Sequence, residues 1–148
     1  MSGDLHIPEA FWTVVYDGRC FPGAPGVQGV AGGANCQRFA YELLRHNGFA
    51  IGDLRSSELW ADRRDTALVE GDPACGDLLL FNRTNRPWGA HVAVALGKGR
   101  AIHLSKQVGR PVMWTLAAFA AAPLYACYIG GKRPIRRAST GMLSSKIG

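Results

Sequence analysis

The sequence predicts a single α+β domain in which one helix in the first half packs on an antiparallel sheet of about five strands. The chain has 148 residues, of which 47% are hydrophobic and 19% are charged. This composition suits one compact core and excludes disordered, collagen-like and coiled-coil chains. A helical pattern comes first and short apolar runs follow it, without any internal repeat, so a doubly wound sheet is not expected.

The first predicted element is the helix, which follows a loop rich in glycine and proline over residues 18–33. The helix is predicted over residues 35–48, with Asn35 as the N-cap and Gly48 as the C-terminal stop. The apolar positions that recur at helical spacing are Cys36, Phe39, Ala40, Leu43 and Leu44. A second, short helix is predicted over residues 57–62, after Ser56 or Ser57 as its cap.

In the second half of the chain, short apolar runs predict strands. The predicted strands cover residues 78–81, 91–96, 101–104, 112–114 and 124–129. Gly97-Lys98-Gly99 joins the second and third of them with hairpin chemistry, so these two should be antiparallel neighbours. A brief helix is predicted over residues 115–121.

Charge is distributed unevenly along the chain. All 11 acidic residues lie in residues 1–77, whereas residues 78–148 contain no acid, and the formal net charge is +6. A basic half could attract an anionic partner, but no aromatic residues alternate with these charges, so no specific nucleic-acid partner is expected. We predict one catalytic domain over residues 1–131 and a basic, mobile tail over residues 132–148.

Several classes of protein and site are not expected. No apolar run approaches the roughly 18 residues that span a bilayer, and residues 1–12 lack the pattern of a signal peptide. We therefore expect a cytoplasmic protein, or one exported by a non-classical route, without a membrane partner. The cysteines form no CxxC pair and the histidines are not closely spaced, so free thiols and no metal or other cofactor are expected. The oligomeric state is not predicted.

Cys36 is the candidate nucleophile. It lies in the first turn of the predicted helix, where free backbone N–H groups and the helix dipole favour an anion, so a lowered pKa is predicted. A histidine opposite it would serve as general base, as in papain-like enzymes. Gly32 and Gly33 leave room for a substrate carbonyl, and the N–H of Cys36 could donate to an oxyanion. Taken alone, the same residue also fits a core position.

The motifs downstream of Cys36 occur in the order found in a known family. They are Gly76-Asp77-Leu78-Leu79-Leu80-Phe81, the strand from His91 to Gly97, and Ala101-Ile102-His103-Leu104. Together with Cys36 and Arg55-Ser56-Ser57, they closely resemble the NlpC-type cysteine peptidases, papain-like enzymes best known for cutting peptidoglycan stem peptides. The resemblance covers roughly residues 30–105 and implies a papain-like fold.

The resemblance implies roles for individual residues. Cys36 corresponds to the nucleophile, His91 to the general base, and His103 to the residue that orients His91. An even separation across one hairpin can place both histidines on the same face of the sheet. The matching or neighbouring candidates for substrate binding are Tyr16, Asn35, Gln37, Arg55, Ser56 and Ser57.

Two further features bear on the substrate. The family has Asp-Cys-Ser where this chain has Asn35-Cys36-Gln37, so the carboxylate and hydroxyl that help bind a free amine are missing. In the loop over residues 82–89, Arg83 and Arg86 could clamp a carboxylate and Trp88 could form an apolar wall, or the loop could be a solvated turn. We therefore expect a peptide or small amide substrate with an anionic or blocked end.

The predicted function is a cysteine-dependent hydrolase that cleaves amide or peptide bonds through a thioester. Two alternatives remain: an intracellular acyltransferase or amidase acting on a small metabolite, and a non-catalytic binding module. Asn35-Cys36-x-x-Phe39 also resembles the lecithin:retinol-acyltransferase-like proteins, in which cysteine attacks a lipid ester. In those proteins the histidine precedes the cysteine, whereas here His91 follows Cys36.

Overall fold

The computed structural model describes residues 4–138, and its centre is a six-stranded sheet in which every pairing is antiparallel. The strands are β1 (Thr66–Leu68), β2 (Leu78–Asn82), β3 (His91–Gly97), β4 (Arg100–Leu104), β5 (Pro111–Thr115) and β6 (Cys127–Pro134). Their order in the sheet is β1-β6-β2-β3-β4-β5. The helices are α1 (Cys36–His46), α2 (Ser56–Ala61) and α3 (Leu116–Ala121). The predicted α+β class is confirmed.

Two strand predictions need correction. β1 was not predicted, because three residues are too few to show a period of two. β6 begins at Cys127 and not at residue 124, because the preceding Pro123–Tyr125 forms a 3-10 turn that starts with proline. This turn matters for the site, since it places Tyr125 against the histidines of β3 and β4.

Both faces of the central strands are covered by protein, which explains their unbroken apolar runs. Val92 and Val94 of β3 belong to the apolar cluster that includes α1, whereas Ala93 and Ala95 belong to the cluster that includes Phe119 of α3. All five side chains are at most 1% exposed. The sheet is thus a middle layer, and α1 and α3 lie on opposite faces of it.

The loop before α1 is anchored by a buried arginine. Arg38 is 5% exposed, and its guanidinium donates to the carbonyl oxygens of Phe21, Val27 and Gly29 at 3.2 to 3.4 Å. A guanidinium has five N–H donors, so one side chain can hold several turns of an irregular segment. The glycine-rich loop is therefore tied to the same helix turn that begins at Cys36.

The predicted mobile tail starts too early. Lys132 is fully buried in β6, where its Nζ donates to the carbonyl oxygens of Trp60 and Asp62 at 3.0 and 2.6 Å. Arg133 forms a bidentate ion pair with Asp77. Consecutive charged residues read as a solvated tail in the sequence, but each has a specific partner far away along the chain. The fold continues through Ala138, and the rest of the predicted tail lies outside the described residues.

Candidate active site

Cys36 is the first residue of α1 and lies against the start of β3. The backbone N–H groups of Val92, Gln37 and Cys36 itself donate toward Sγ, and these bonds favour the thiolate. Burial nevertheless outweighs them and raises the pKa of the Cys36 thiol from 9.0 to about 11. The lowered pKa predicted from the helix position is therefore wrong. Desolvation, which the sequence does not reveal, exceeds the effect of the helix terminus, so the thiol is neutral at pH 7.

The two candidate histidines form a hydrogen-bonded pair. Nε2 of His91 lies 2.8 Å from Nδ1 of His103, with the rings at 84° to each other. Val94 of β3 pairs with Ile102 of β4. This register puts the side chains of His91 and His103 on the α3 face of the sheet, as the even spacing of the two histidines predicts. Burial, and then the neighbouring His103, lower the pKa of His91 well below 6.5. Burial also lowers the pKa of His103 to about 4, so both imidazoles are neutral at pH 7.

Aromatic side chains that the sequence analysis did not identify enclose this pair. Tyr125 stacks on His91, with 4.4 Å between ring centroids and 25° between ring planes. The rings of Trp114 and Phe119 lie 4.4 and 4.6 Å from that of His103. These residues come from β5, α3 and the turn before β6, and no sequence motif links them to the histidines. Only the packing of three separate segments on one face of the sheet reveals them.

Three tyrosines lie within electrostatic range of Cys36: the buried Tyr41 of α1, Tyr16 and Tyr125. Burial, and then Cys36, raise the pKa of Tyr16. Burial likewise raises the pKa of Tyr125, whose hydroxyl hydrogen-bonds with Ser105, and Cys36 raises it further. Tyr16 is held there by a parallel bridge with Ala34, which lies just before the α1 cap. Tyr16, which the sequence analysis named, and Tyr125, which it did not, are therefore both near Cys36.

A cavity of about 360 Å³ lies beside the start of α1. Its lining residues come from α1, α2 and the loop before β3: Gln37, Arg55, Ser56, Ser57, Glu58, Trp88 and Gly89. Five of these seven were predicted as substrate-binding residues from the sequence. Trp88 is 76% exposed, so its indole forms an open wall that a ligand can contact.

The other two predicted cations do not reach this cavity. Arg83 and Arg86 are exposed in the loop between β2 and β3 and are not among the lining residues. Asn82 braces that loop by donating from Nδ2 to the carbonyl oxygens of Arg86 and Trp88 at 2.8 and 3.2 Å. The bracing positions Trp88 at the cavity and leaves both guanidinium groups in solvent.

Three predicted binding residues also have structural roles. Oγ of Ser56 accepts a hydrogen bond from the Ala90 N–H at 3.1 Å, which ties α2 to the start of β3. Oδ1 of Asn35 accepts one from the Arg38 N–H at 2.9 Å and so caps α1. The Arg55 guanidinium lies over the Phe21 ring, 4.4 Å from its centroid.

Residues 4–138 contain no group of three or more His, Cys, Asp or Glu side chains placed to hold a metal ion. Within the same range, no helix has the length and apolar character that crossing a membrane requires.

A cysteine-bearing helix packed against an antiparallel sheet gives this chain the α+β architecture of a papain-like fold. Solved structures with this architecture include that of an NlpC/P60 family protein from Bacillus cereus ATCC 10987, which matches with a TM-score of 0.57 and 20% sequence identity. The match covers 88% of this chain but 41% of that one, so this chain spans less than half of its neighbour's length. No protein-family model and no curated protein matches the chain. The likeness establishes the fold.

Proposed function

We propose that this protein is a cysteine-dependent hydrolase of amide or peptide bonds, with Cys36 as nucleophile, His91 as general base and His103 as the residue that orients His91. The observation that supports this most directly is the 2.8 Å bond between His91 Nε2 and His103 Nδ1. It leaves Nδ1 of His91 as the free ring nitrogen, on the residue next to Val92, whose N–H meets the sulfur. The Val92 N–H that meets the sulfur and the His91–His103 bond both belong to the start of β3, which supports Cys36 as nucleophile with His91 as its base.

The reaction begins from a neutral thiol and a neutral imidazole. As Sγ of Cys36 attacks the carbonyl carbon and forms the C–S bond, its proton passes to Nδ1 of His91. Backbone N–H groups at the start of α1 donate to the developing oxyanion. The C–N bond then breaks, and the leaving amine takes the proton from His91. Water next adds to the thioester with His91 as base, which releases the carboxylic acid and restores the thiol.

We further propose a peptidoglycan stem-peptide-like or related small amide substrate whose acyl end is anionic or blocked. Asn35 uses Oδ1 to cap α1, so it has a free amide N–H₂ donor to offer and no carboxylate for an ammonium group. Arg55 lines the neighbouring cavity and can pair with a carboxylate. Glu58 lines it too, but its Oε1 already accepts from the Arg55 N–H at 2.7 Å.

The decisive experiment is digestion of stem peptides and muropeptides followed by mass spectrometry. We expect Cys36→Ala and His91→Ala to abolish turnover, and His103→Ala to leave measurable activity, because an orienting group contributes less than the nucleophile. Cys20→Ala is the matched control, since Cys20 is another free cysteine. Full activity in Cys36→Ala overturns the proposal.

Substrate polarity is tested with a matched pair of peptides that differ only in acetylation of the N-terminal amine. We expect the acetylated peptide to have the higher kcat/KM in the wild type and Asn35→Asp to shift the preference toward the free amine, since a charge-assisted bond is worth about 1.5 to 3 kcal/mol. A tenfold preference of the wild type for the free amine contradicts this proposal. Acyl transfer to an added amine in place of water supports the transferase alternative, and saturable binding without any turnover supports the binding module.

A further inference from the structure

The inner ring nitrogen of His103 has an unusual environment. His103 is fully buried, and its Nε2 is one of two buried side-chain nitrogen or oxygen atoms without a hydrogen-bond partner among the described residues. Its Nδ1 is occupied by His91. Besides the His91 ring at 5.0 Å, the rings around His103 are those of Trp114, Phe119 and Tyr125, at centroid distances of 4.4, 4.6 and 6.0 Å. We call these three residues the aromatic box.

The box distinguishes between the two neutral tautomers of His103. If Nε2 is bare, its buried lone pair accepts no hydrogen bond from the described residues, which is unfavourable beside aromatic rings because the ring faces are negative. If Nε2 carries the proton, an N–H group faces the rings, and N–H···π contacts are attractive. The Trp114 ring is inclined at 64° to the His103 ring, in an edge-to-face arrangement compatible with such a contact.

The tautomer of His103 determines that of His91. When Nε2 of His103 holds the proton, Nδ1 of His103 is an acceptor, and Nε2 of His91 must donate to it across 2.8 Å. Nδ1 of His91 is then bare and can accept a proton. The opposite tautomer reverses the bond and leaves a proton on Nδ1 of His91, where it blocks acceptance from a thiol.

We propose that the aromatic box selects the Nε2–H tautomer of His103 and thereby keeps Nδ1 of His91 free to act as the base, with Trp114 as a positioning residue. The catalytic consequence rests on the proposed function, whereas the tautomer itself does not. Trp114 is suited to the role because it is contributed by β5, the neighbour of the strand that carries His103.

The test combines ¹⁵N NMR of the histidine rings with kinetics. In the wild type we expect Nε2 of both histidines to resonate as protonated nitrogens and Nδ1 of both as bare nitrogens. In Trp114→Leu we expect a mixture of tautomers and a kcat lowered about two- to fivefold, the value of one weak N–H···π contact, with KM unchanged. Trp114→Phe, which keeps an aromatic ring, should have the wild-type tautomers and the wild-type kcat. Met113→Leu, at an exposed neighbouring position of β5, is the matched control.

The outcomes separate this inference from the proposed function. A bare Nε2 on His103 in the wild type overturns the proposal, whatever the activity is. Wild-type tautomers and kcat in a folded Trp114→Leu protein also overturn the role of Trp114. If Trp114→Leu does not fold, the wild-type and Trp114→Phe spectra still decide the tautomer. An inactive protein with the expected tautomers contradicts the proposed function alone.

Discussion

The backbone N–H of Val92 points at the sulfur of Cys36, so the strand that carries the candidate base also contacts the candidate nucleophile directly. This contact crosses from β3 to α1 and does not depend on any side chain of Val92. It stabilises negative charge on the sulfur, yet burial keeps the resting thiol protonated. Cys36 is therefore a neutral thiol at pH 7, although backbone N–H groups are placed to stabilise its thiolate.

The first prediction concerns the reactivity of this thiol. We expect the rate of Cys36 alkylation by iodoacetamide to rise with pH through an apparent pKa above 9.0 and near 11, because burial disfavours the thiolate. Peptide mass spectrometry across a pH series measures it, with Cys36→Ala to assign the labelled peptide. Rapid labelling of Cys36 below pH 7 would show a preformed thiolate–imidazolium pair and contradict the structure.

The second prediction concerns acid stability. The pKa of His103 is about 4 in the fold and 6.5 when unfolded. Above pH 6.5 the imidazole is neutral in both states, so its contribution to the free energy of unfolding is fully present there. We expect the free energy of unfolding to fall as the pH decreases from 6.5 toward 4, since the unfolded chain then binds a proton that the folded one rejects. Urea unfolding at several pH values measures this dependence, and His103→Asn should reduce its slope. An unchanged slope in that variant argues against the buried neutral imidazole.

The third prediction concerns the ion pair between Asp77 and Arg133. Asp77 is 1% exposed, whereas the Arg133 side chain is 46% exposed. Arg133→Met removes the ion-pair partner of the buried carboxylate, to which the Ala74 N–H still donates. Because the guanidinium is half exposed, we expect a loss of about 2 kcal/mol in the free energy of unfolding. Arg64→Met is the control, because Arg64 is 81% exposed and its pair with Asp65 is long, at 3.8 Å. Equal losses in both variants would show that the buried pair does not stabilise the sheet.

The fourth prediction concerns the close contact of Gly130 with Trp60. A Cβ at position 130 would lie 2.6 Å from the Trp60 ring, and the backbone φ there is +152°, a conformation that L side chains rarely adopt. Gly130→Ala should therefore lower the free energy of unfolding by about 2 kcal/mol or more. Gly32→Ala is the control, since position 32 has open space and no positive φ. A thermal melt that does not separate the two variants contradicts the packing at β6.

The fifth prediction concerns Trp88 at the cavity wall. Because this side chain is 76% exposed, Trp88→Ala should leave stability nearly unchanged. If the cavity binds substrate, KM rises while kcat changes little, as expected for loss of uniform binding. Arg83→Ala, in the same loop but away from the cavity, should change neither. Steady-state kinetics of the three proteins provide the comparison, and equal KM values would remove Trp88 from the binding site.

The candidate residues that could be predicted from the sequence are those whose environment is local. A helix begins at Cys36 because Asn35 caps it, and two histidines share a face because one short hairpin joins their strands. The loop before β3 shows the limit of such reasoning: its composition does not indicate that Trp88 reaches the cavity while Arg83 stays in solvent.

The sequence by itself determined the α+β class, the helix that begins at Cys36, the β3–β4 hairpin and the shared sheet face of His91 and His103. These features follow from periodicity, caps and turns, which act over a few residues. Only the tertiary structure decided the protonation of the site, the aromatic rings around His103 and the burial of Lys132. Desolvation depends on all the atoms packed around a group, and those atoms come from segments far apart in the chain.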